Sequence, residues 1–105
     1  MTRPLLPAAL ALAAAFASPA GAQESPPGRN LAAACANCHG TNGVSQAEAG
    51  LPSLAGRERS ELAWQMQDFK TGKRPATVMH QIARGYTDGQ IEAIAAYLSA
   101  QKAPR

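Results

Sequence analysis

The chain has 105 residues, enough for one small domain, and two cysteines, which in an exported protein would ordinarily suggest a disulfide. The formal net charge of +3 at pH 7 is only a mild excess, which argues against nucleic acid as a partner. No segment alternates apolar and polar residues in the manner of a half-buried strand. We therefore expect a single all-α domain.

The first 22 residues have the pattern of a secretory signal peptide. A basic residue, Arg3, precedes an apolar run from Leu5 to Ala17, and small residues end the segment at Ala22. The run is shorter than the roughly 20 apolar residues that a spanning helix requires, and no later segment approaches that length. The pattern predicts export to the periplasm, cleavage near Ala22, a mature domain over residues 23–105 and no membrane span.

The first predicted helix begins near residue 28 or 29 and runs through Cys38, with Gly40 as its stop. Its end carries the sequence CANCH, in which Cys35 and Cys38 lie about one helical turn apart and His39 follows at once. With this spacing both thiols can bond to neighbouring edges of one porphyrin while the imidazole reaches the iron. We predict one covalently bound haem c, held by Cys35 and Cys38, with His39 as an axial ligand of the iron.

Two other uses of the cysteine pair fit the sequence less well. A thioredoxin-like redox pair belongs to a βαβ unit, and the chain has no strand pattern. A structural zinc site needs four ligands, and the chain would have to bring His80 to Cys35, Cys38 and His39. The exported, alanine-rich and helical context favours haem attachment.

A haem that only carries electrons needs a sixth ligand on its distal face. Met66 falls at helical spacing with Leu62 and Phe69, which is typical of a buried helix face. Met79 follows a predicted loop, and a thioether is a ligand that raises the reduction potential. Met79 is the predicted ligand of the haem iron, and His80 remains the alternative, which would give a lower-potential bis-histidine haem.

The remaining elements follow in chain order. Residues 41–56 are rich in Gly, Ser and Pro, which predicts a loop around the proximal edge of the haem. A second helix is predicted from Arg59 to Thr71, and the last helix begins with a capping box between Thr87 and Gln90. Its apolar stripe predicts a buried face at Ile91, Ile94, Ala95 and Leu98. With the porphyrin as the largest apolar body, we expect the apoprotein to fold poorly.

Two surface features have open interpretations. Trp64 lies off the apolar stripe of the second helix, which suits either a docking anchor or packing over the haem edge or over the loop after Gly40. Basic residues in the middle of the chain form either a positive patch on one face or an ordinary solvated helix surface; they are Arg57, Arg59, Lys70, Lys73, Arg74 and Arg84.

With these motifs the chain resembles the class I cytochromes c, and within them the cytochrome c4-like group. The resemblance rests on the glycines on either side of CANCH, the LPSL turn, the DFKTGKR run and the last helix. It implies three to four helices around one haem, with the first and last helices crossing so that Gly28 and Leu31 meet Ile94 and Tyr97. It also implies that Pro52 accepts a hydrogen bond through its carbonyl from His39 and so orients this ligand.

The stretch TVMHQIARGYTDGQIEAIAAYL is similar to the haem subunit of flavocytochrome c sulfide dehydrogenase. In that family the methionine at the position of Met79 is the distal ligand, and electrons come from a flavoprotein that oxidises sulfide. The resemblance therefore implies a flavoprotein partner, a downstream electron acceptor and a subunit that transfers single electrons with no catalytic site of its own.

Other functions stay open at this point. A free soluble carrier of the c4 or c5 type would share most of these positions. A haem with an open sixth site, binding a small gas or peroxide, would require Met79 to leave the iron. A peroxidase-like site would need an acid-base pair on the distal side of the haem. His80 and Arg84 are the best candidates for such a pair in the sequence, but both fit a surface position on a helix better. A purely structural haem is the remaining alternative.

Overall fold

The computed structural model describes residues 1–4 and 26–104. In chain order the elements are α1 (Arg29–Ala32), a 3-10 turn (Ala33–Cys35), α2 (Ala36–His39), a second 3-10 turn (Thr41–Gly43), α3 (Arg59–Thr71), α4 (Met79–Arg84) and α5 (Asp88–Ser99). The described residues contain helices and no strand, which confirms the predicted all-α class. None of these helices has the length and apolarity needed to cross a membrane. Most of the predicted signal peptide, residues 5–22, lies outside the described residues.

The first predicted helix is formed by α1, the first 3-10 turn and α2 in unbroken succession. It ends at Gly40, as predicted, and the amide of Gly40 donates to the carbonyl of Ala36 at 3.1 Å. Gly40 has φ 84°, and a Cβ there would overlap the carbonyl of Val44. Only glycine adopts this conformation at so close an approach without strain, so the chain turns sharply directly after the CANCH motif.

The N-terminal end of α1 lies against α5. Gly28 has φ 89°, and a Cβ on it would overlap the backbone carbonyl of Ala93 and lie 3.2 Å from the amide nitrogen of Ile94. Leu31 packs against the core cluster that contains Ile94. The first and last helices therefore meet where the resemblance implies, and the missing side chain at Gly28 permits the contact.

The protein core is formed where α3 and α5 pack together, with α1 closing one side. Ile91 is fully buried and Met66 packs against the cluster from α3, so both predicted apolar stripes are confirmed. The buried members of the cluster are Ala32, Leu62, Ala63, Ile91, Ile94, Ala95 and Leu98.

The start of α5 has the predicted capping box. The amide of Gln90 donates to the hydroxyl of Thr87 at 3.1 Å, and the amide of Thr87 donates to the side-chain oxygen of Gln90 at 2.9 Å. Both amides lie at a helix N-terminus, where no backbone acceptor within the helix is available. The two reciprocal hydrogen bonds therefore fix the position at which α5 begins.

The sequence analysis expected a loop before Met79 and a helix surface at His80 and Arg84 but gave that helix no bounds, and the structure places both residues in α4. Val78 has φ −136°, provides no side-chain cap, and accepts backbone hydrogen bonds from Gln81 and Ile82. A six-residue helix without a capping residue has too little periodicity to be read from sequence. It packs mainly against α3.

Candidate functional site

The two cysteines of the CANCH motif lie on consecutive helical turns. Cys35 ends the first 3-10 turn and packs against the core, whereas Cys38 is exposed in α2, and neither forms a disulfide. Burial raises the pKa of the Cys35 thiol, and the nearby charge of Cys38 raises it further. Cys35 therefore lies at the boundary between the protein core and the surface, whereas Cys38 lies on the surface.

His39 is buried, with 8% of its surface exposed. Its Nδ1 lies 2.8 Å from the carbonyl oxygen of Pro52. A carbonyl oxygen only accepts hydrogen bonds, so Nδ1 carries the proton and donates. In this tautomer the lone pair is on Nε2, the atom that binds a metal when the other ring nitrogen has a backbone partner.

Hydrogen bonds between residues 43–45 and 53–55 join the two sides of the loop that connects His39 to α3. The carbonyl of Gly43 accepts from the amides of Leu54 at 2.7 Å and Ala55 at 3.0 Å. The amide of Ser45 donates to the hydroxyl of Ser53 at 2.9 Å. These contacts hold the LPSL turn next to the motif and thereby place the acceptor for His39.

A long-range hydrogen bond ties the same region to α5. The hydroxyl of Tyr97 donates to the side-chain oxygen of Asn42 at 2.8 Å. Asn42 has φ 53°, a left-handed conformation that asparagine tolerates better than most residues. The Asn-Gly pair after the motif indicates such a turn, but no local pattern in the sequence pointed to Tyr97 as its partner.

The two candidate distal ligands occupy the first turn of α4. Met79 and His80 are both partly buried. The Nδ1 atom of His80 is buried and has no hydrogen-bond partner among the described residues. The main packing partner of α4 is α3, whereas α2 packs with the 3-10 turns beside it, so His39 and Met79 belong to separate parts of the fold.

The residues present fit a haem c. Two thiols and an oriented imidazole lie within five consecutive positions, and a soft thioether lies on a different element. Thioether bonds to a porphyrin need the two thiols, and iron takes an imidazole on one face and a thioether on the other. The donor set therefore matches this cofactor.

Trp64 is 57% exposed and borders a cleft of about 410 Å³ between α3 and α5. The other residues of this cleft lie on α3 and α5, and none belongs to the loop after Gly40. Whether Trp64 serves as a docking anchor or packs over the haem edge or the loop after Gly40 stays a prediction. The indole is an exposed side chain on the outer flank of α3.

The family model described as cytochrome c oxidase, cbb3-type, subunit III matches residues 22–98. The chain belongs to this family of c-type cytochromes. Members of the cytochrome c family hold haem c covalently, which confirms the cofactor predicted from CANCH.

Three curated relatives show how much of this cytochrome they share. The cytochrome subunit of sulfide dehydrogenase from Chlorobaculum tepidum is 41% identical over 70 residues, which cover 67% of the chain and 62% of the relative. The thiosulfate dehydrogenase electron acceptor of Stutzerimonas stutzeri is 42% identical over 78 residues, covering 73% of the chain and 36% of the relative. Cytochrome c-554(548) of Halomonas halodenitrificans is 33% identical, covering 71% of the chain and 93% of the relative.

The cytochrome thus spans 36% to 62% of the length of the first two relatives. Among solved structures it resembles reduced cytochrome c4 from Pseudomonas stutzeri, with a TM-score of 0.61 and 32% identity over 65% of this chain and 38% of that one. The predicted class I cytochrome c fold is confirmed by this likeness.

Proposed function

We propose that this cytochrome carries single electrons through one haem c, bonded to Cys35 and Cys38, with His39 and Met79 as the axial ligands of its iron. The observation that carries the proposal is the 2.8 Å hydrogen bond from His39 to Pro52. It fixes the tautomer and the direction of an imidazole that follows directly after two thiols. When bound, the haem supplies a reversible one-electron change at iron.

For the distal position we favour Met79 over His80, because the resemblance places a methionine ligand there and a thioether raises the reduction potential, as suits a carrier. His39 has the backbone acceptor that a metal-binding histidine usually has, which supports its role as the other iron ligand. The buried Nδ1 of His80 has no hydrogen-bond partner among the described residues, so His80 stays the alternative.

With an imidazole and a thioether on iron, no substrate reaches the metal, and the function reduces to accepting and passing on electrons. For the electron donor we propose a flavoprotein of the sulfide-oxidising kind, since a relative at 41% identity is a cytochrome subunit of sulfide dehydrogenase.

Residues 1–22 act as the signal peptide that brings the chain to the periplasm.

A free carrier is the second candidate. It is favoured by cytochrome c-554(548), of which this chain covers 93%. The two candidates share the haem site and differ only in whether a flavoprotein is a stable partner.

The haem role is tested on the purified holoprotein by its intact mass, a redox titration and exposure to carbon monoxide. We expect the mass of the cleaved chain plus one haem, a titration that follows a one-electron Nernst curve, and a reduced spectrum that carbon monoxide leaves unchanged. A reduced protein that binds carbon monoxide stoichiometrically would contradict the closed distal site.

The partner is tested by purifying a tagged form of the cytochrome from cells that also express a flavoprotein encoded beside it. We expect co-purification at a one-to-one ratio and haem reduction upon addition of sulfide. Loss of Cys35 and Cys38 should abolish the reduction and leave the flavin content of the partner intact. A monomeric cytochrome that sulfide does not reduce through the flavoprotein would favour the free carrier.

A further inference from the structure

The hydroxyl of Tyr97 makes a contact that the packing of its ring does not require. The ring packs against the buried core cluster, and a phenylalanine ring could make the same contact. The hydroxyl instead reaches the side chain of Asn42, which lies 55 positions earlier in the chain, and donates to its oxygen at 2.8 Å. Asn42 lies three positions after His39. The hydrogen bond therefore joins the last helix to the segment directly after the CANCH motif.

The backbone at Asn42 determines where the next carbonyl points. Asn42 has φ 53°, a left-handed conformation that the backbone of an L residue disfavours, so a hydrogen bond on its side chain helps to keep it there. The carbonyl of Gly43 follows, and it accepts from the amides of Leu54 at 2.7 Å and Ala55 at 3.0 Å. The conformation of Asn42 thus contributes to holding residues 54 and 55 in place.

The acceptor of His39 lies next to these held residues. The carbonyl of Pro52 lies two positions before Leu54 and is 2.8 Å from Nδ1 of His39. A carbonyl in a loop keeps one direction only where the neighbouring backbone is held, and here hydrogen bonds hold residues 53 to 55. The contact between His39 and Pro52 therefore depends on Gly43 and, through it, on Asn42.

The end of α5 also contacts the other side of this loop. The carbonyl of Leu98 accepts from the amide of Gly56 at 3.0 Å. The side chain of Leu98 is buried so close to Gly43 that a Cβ on Gly43 would lie 3.0 Å from it. Tyr97 and Leu98 together thus hold both sides of the loop that contains Pro52.

We infer that Tyr97 is a positioning residue for His39, because its hydroxyl holds Asn42 in the conformation that keeps the carbonyl of Pro52 on the imidazole. This inference rests on the proposed function, in which His39 binds the haem iron. A backbone acceptor on the other ring nitrogen orients a metal-binding histidine and makes it a stronger ligand. Since a stronger ligand stabilises ferric over ferrous iron, weakening this contact should raise the reduction potential.

A purely stabilising role for the Tyr97 hydroxyl is the competing explanation. The loss of any well-formed hydrogen bond destabilises the folded state to some extent. A stabilising role would affect the whole domain and leave the contact between His39 and Pro52 unchanged. The two roles therefore differ in where the effect of losing the hydroxyl appears.

The test uses three single variants, prepared as ferrous haem-loaded proteins. Tyr97→Phe removes the hydroxyl and keeps the ring. Ser99→Ala, the matched control, also removes one hydroxyl from the end of α5, but this hydroxyl donates to the carbonyl of Ala96 within the helix, at 3.0 Å. Asn42→Asp keeps an acceptor oxygen on a side chain that tolerates the left-handed conformation, so it should preserve the hydrogen bond.

Nuclear magnetic resonance measures how fast the Nδ1 proton of His39 exchanges with solvent. The amide protons of Leu62 and Ala63, which are buried in α3, report on the whole domain in the same samples. A spectroelectrochemical titration of Tyr97→Phe, Ser99→Ala and the unmodified protein gives the reduction potentials.

In Tyr97→Phe we expect the Nδ1 proton of His39 to exchange about fivefold faster, the factor by which loss of a typical hydrogen bond shifts a local opening equilibrium. The reduction potential should rise, and the amides of α3 should exchange within about twofold of their original rates. Ser99→Ala should leave the His39 exchange rate and the potential unchanged, and Asn42→Asp should leave the exchange rate unchanged. In a protein that already has Asn42→Gly, adding Tyr97→Phe should not accelerate the exchange further.

Equal acceleration of the His39 proton and the α3 amides in Tyr97→Phe would overturn the inference in favour of a purely stabilising role. An unchanged His39 exchange rate with an unchanged potential would overturn it as well. A ferrous spectrum in which the ring protons of His39 lack the large shifts caused by a haem ring would instead refute the proposed haem ligation, and the inference with it.

Discussion

The substitution Gly28→Ala tests whether the contact between α1 and α5 determines the stability of the fold. Gly28 has φ 89°, and a Cβ there would overlap the carbonyl of Ala93, which is a backbone atom of the last helix. Because the clashing atoms belong to the backbone and not to a flexible side chain, the added methyl group fits only if α1 and α5 move apart. The α1 helix leads directly into the 3-10 turn that carries Cys35.

The expected loss has two components. An alanine in a left-handed conformation costs about 1 to 2 kcal/mol. Forcing a methyl group into a close-packed contact costs about 1 to 3 kcal/mol more. We expect the free energy of unfolding to fall by about 2 to 5 kcal/mol in total, a large part of the stability of a small domain.

Gly72→Ala is the matched control. Gly72 has φ 78°, so its backbone strain is nearly the same, but a Cβ there meets no atom within 4 Å. We expect only the conformational cost of about 1 to 2 kcal/mol. The two variants therefore differ by about 2 kcal/mol, or at least about 8 °C in melting temperature for a domain of this size.

The assay is guanidinium unfolding of the ferric holoproteins, followed by circular dichroism and by Soret absorbance, so that helix loss and haem exposure are measured separately. Equal losses of unfolding free energy in Gly28→Ala and Gly72→Ala would refute the claim that the close contact between α1 and α5 determines the stability of the fold.

Two further predictions concern the start of α5. Thr87→Ala removes the capping hydroxyl and should lower stability by about 1 kcal/mol in urea unfolding, whereas Ser99→Ala at the other end of the helix should have a smaller effect. Hydrogen bonds from Gln67 and Lys70, together with the Lys70 charge, lower the pKa of the Asp88 carboxyl. The folded state therefore binds this proton less readily than the unfolded state, so Asp88 adds stability above the unfolded pKa of about 3.9 and loses it as pH falls through the lower folded pKa. Melting curves should show the wild-type protein above Asp88→Asn at pH 6, with the two converging in stronger acid; a gap that widens in acid would contradict this assignment.

The sequence predicted best those features that depend on local patterns. The helix α3 begins and ends at the predicted residues because its apolar stripe is long enough to define the period, and Gly72 then ends it. The capping box at Thr87 was also predicted, since its two hydrogen bonds join residues three positions apart. For the haem attachment, the spacing within CANCH was sufficient.

Contacts between distant parts of the chain were not predictable in this way. The hydrogen bond between Asn42 and Tyr97 spans 55 positions, and nothing near either residue indicates it. The contact between His39 and Pro52 was inferred from family resemblance and not from local pattern. The helix α4 is too short for a periodic signal, and the outward position of Trp64 depends on how α3 packs against α5.

The central claim, a haem iron closed by His39 and Met79, is tested most directly by the far-red absorption of the ferric protein. We expect a weak sulfur-to-iron band in the unmodified cytochrome, its loss in Met79→Leu, and its retention in His80→Ala. Absence of the band in the unmodified protein, or its loss in His80→Ala alone, would contradict the assignment of Met79.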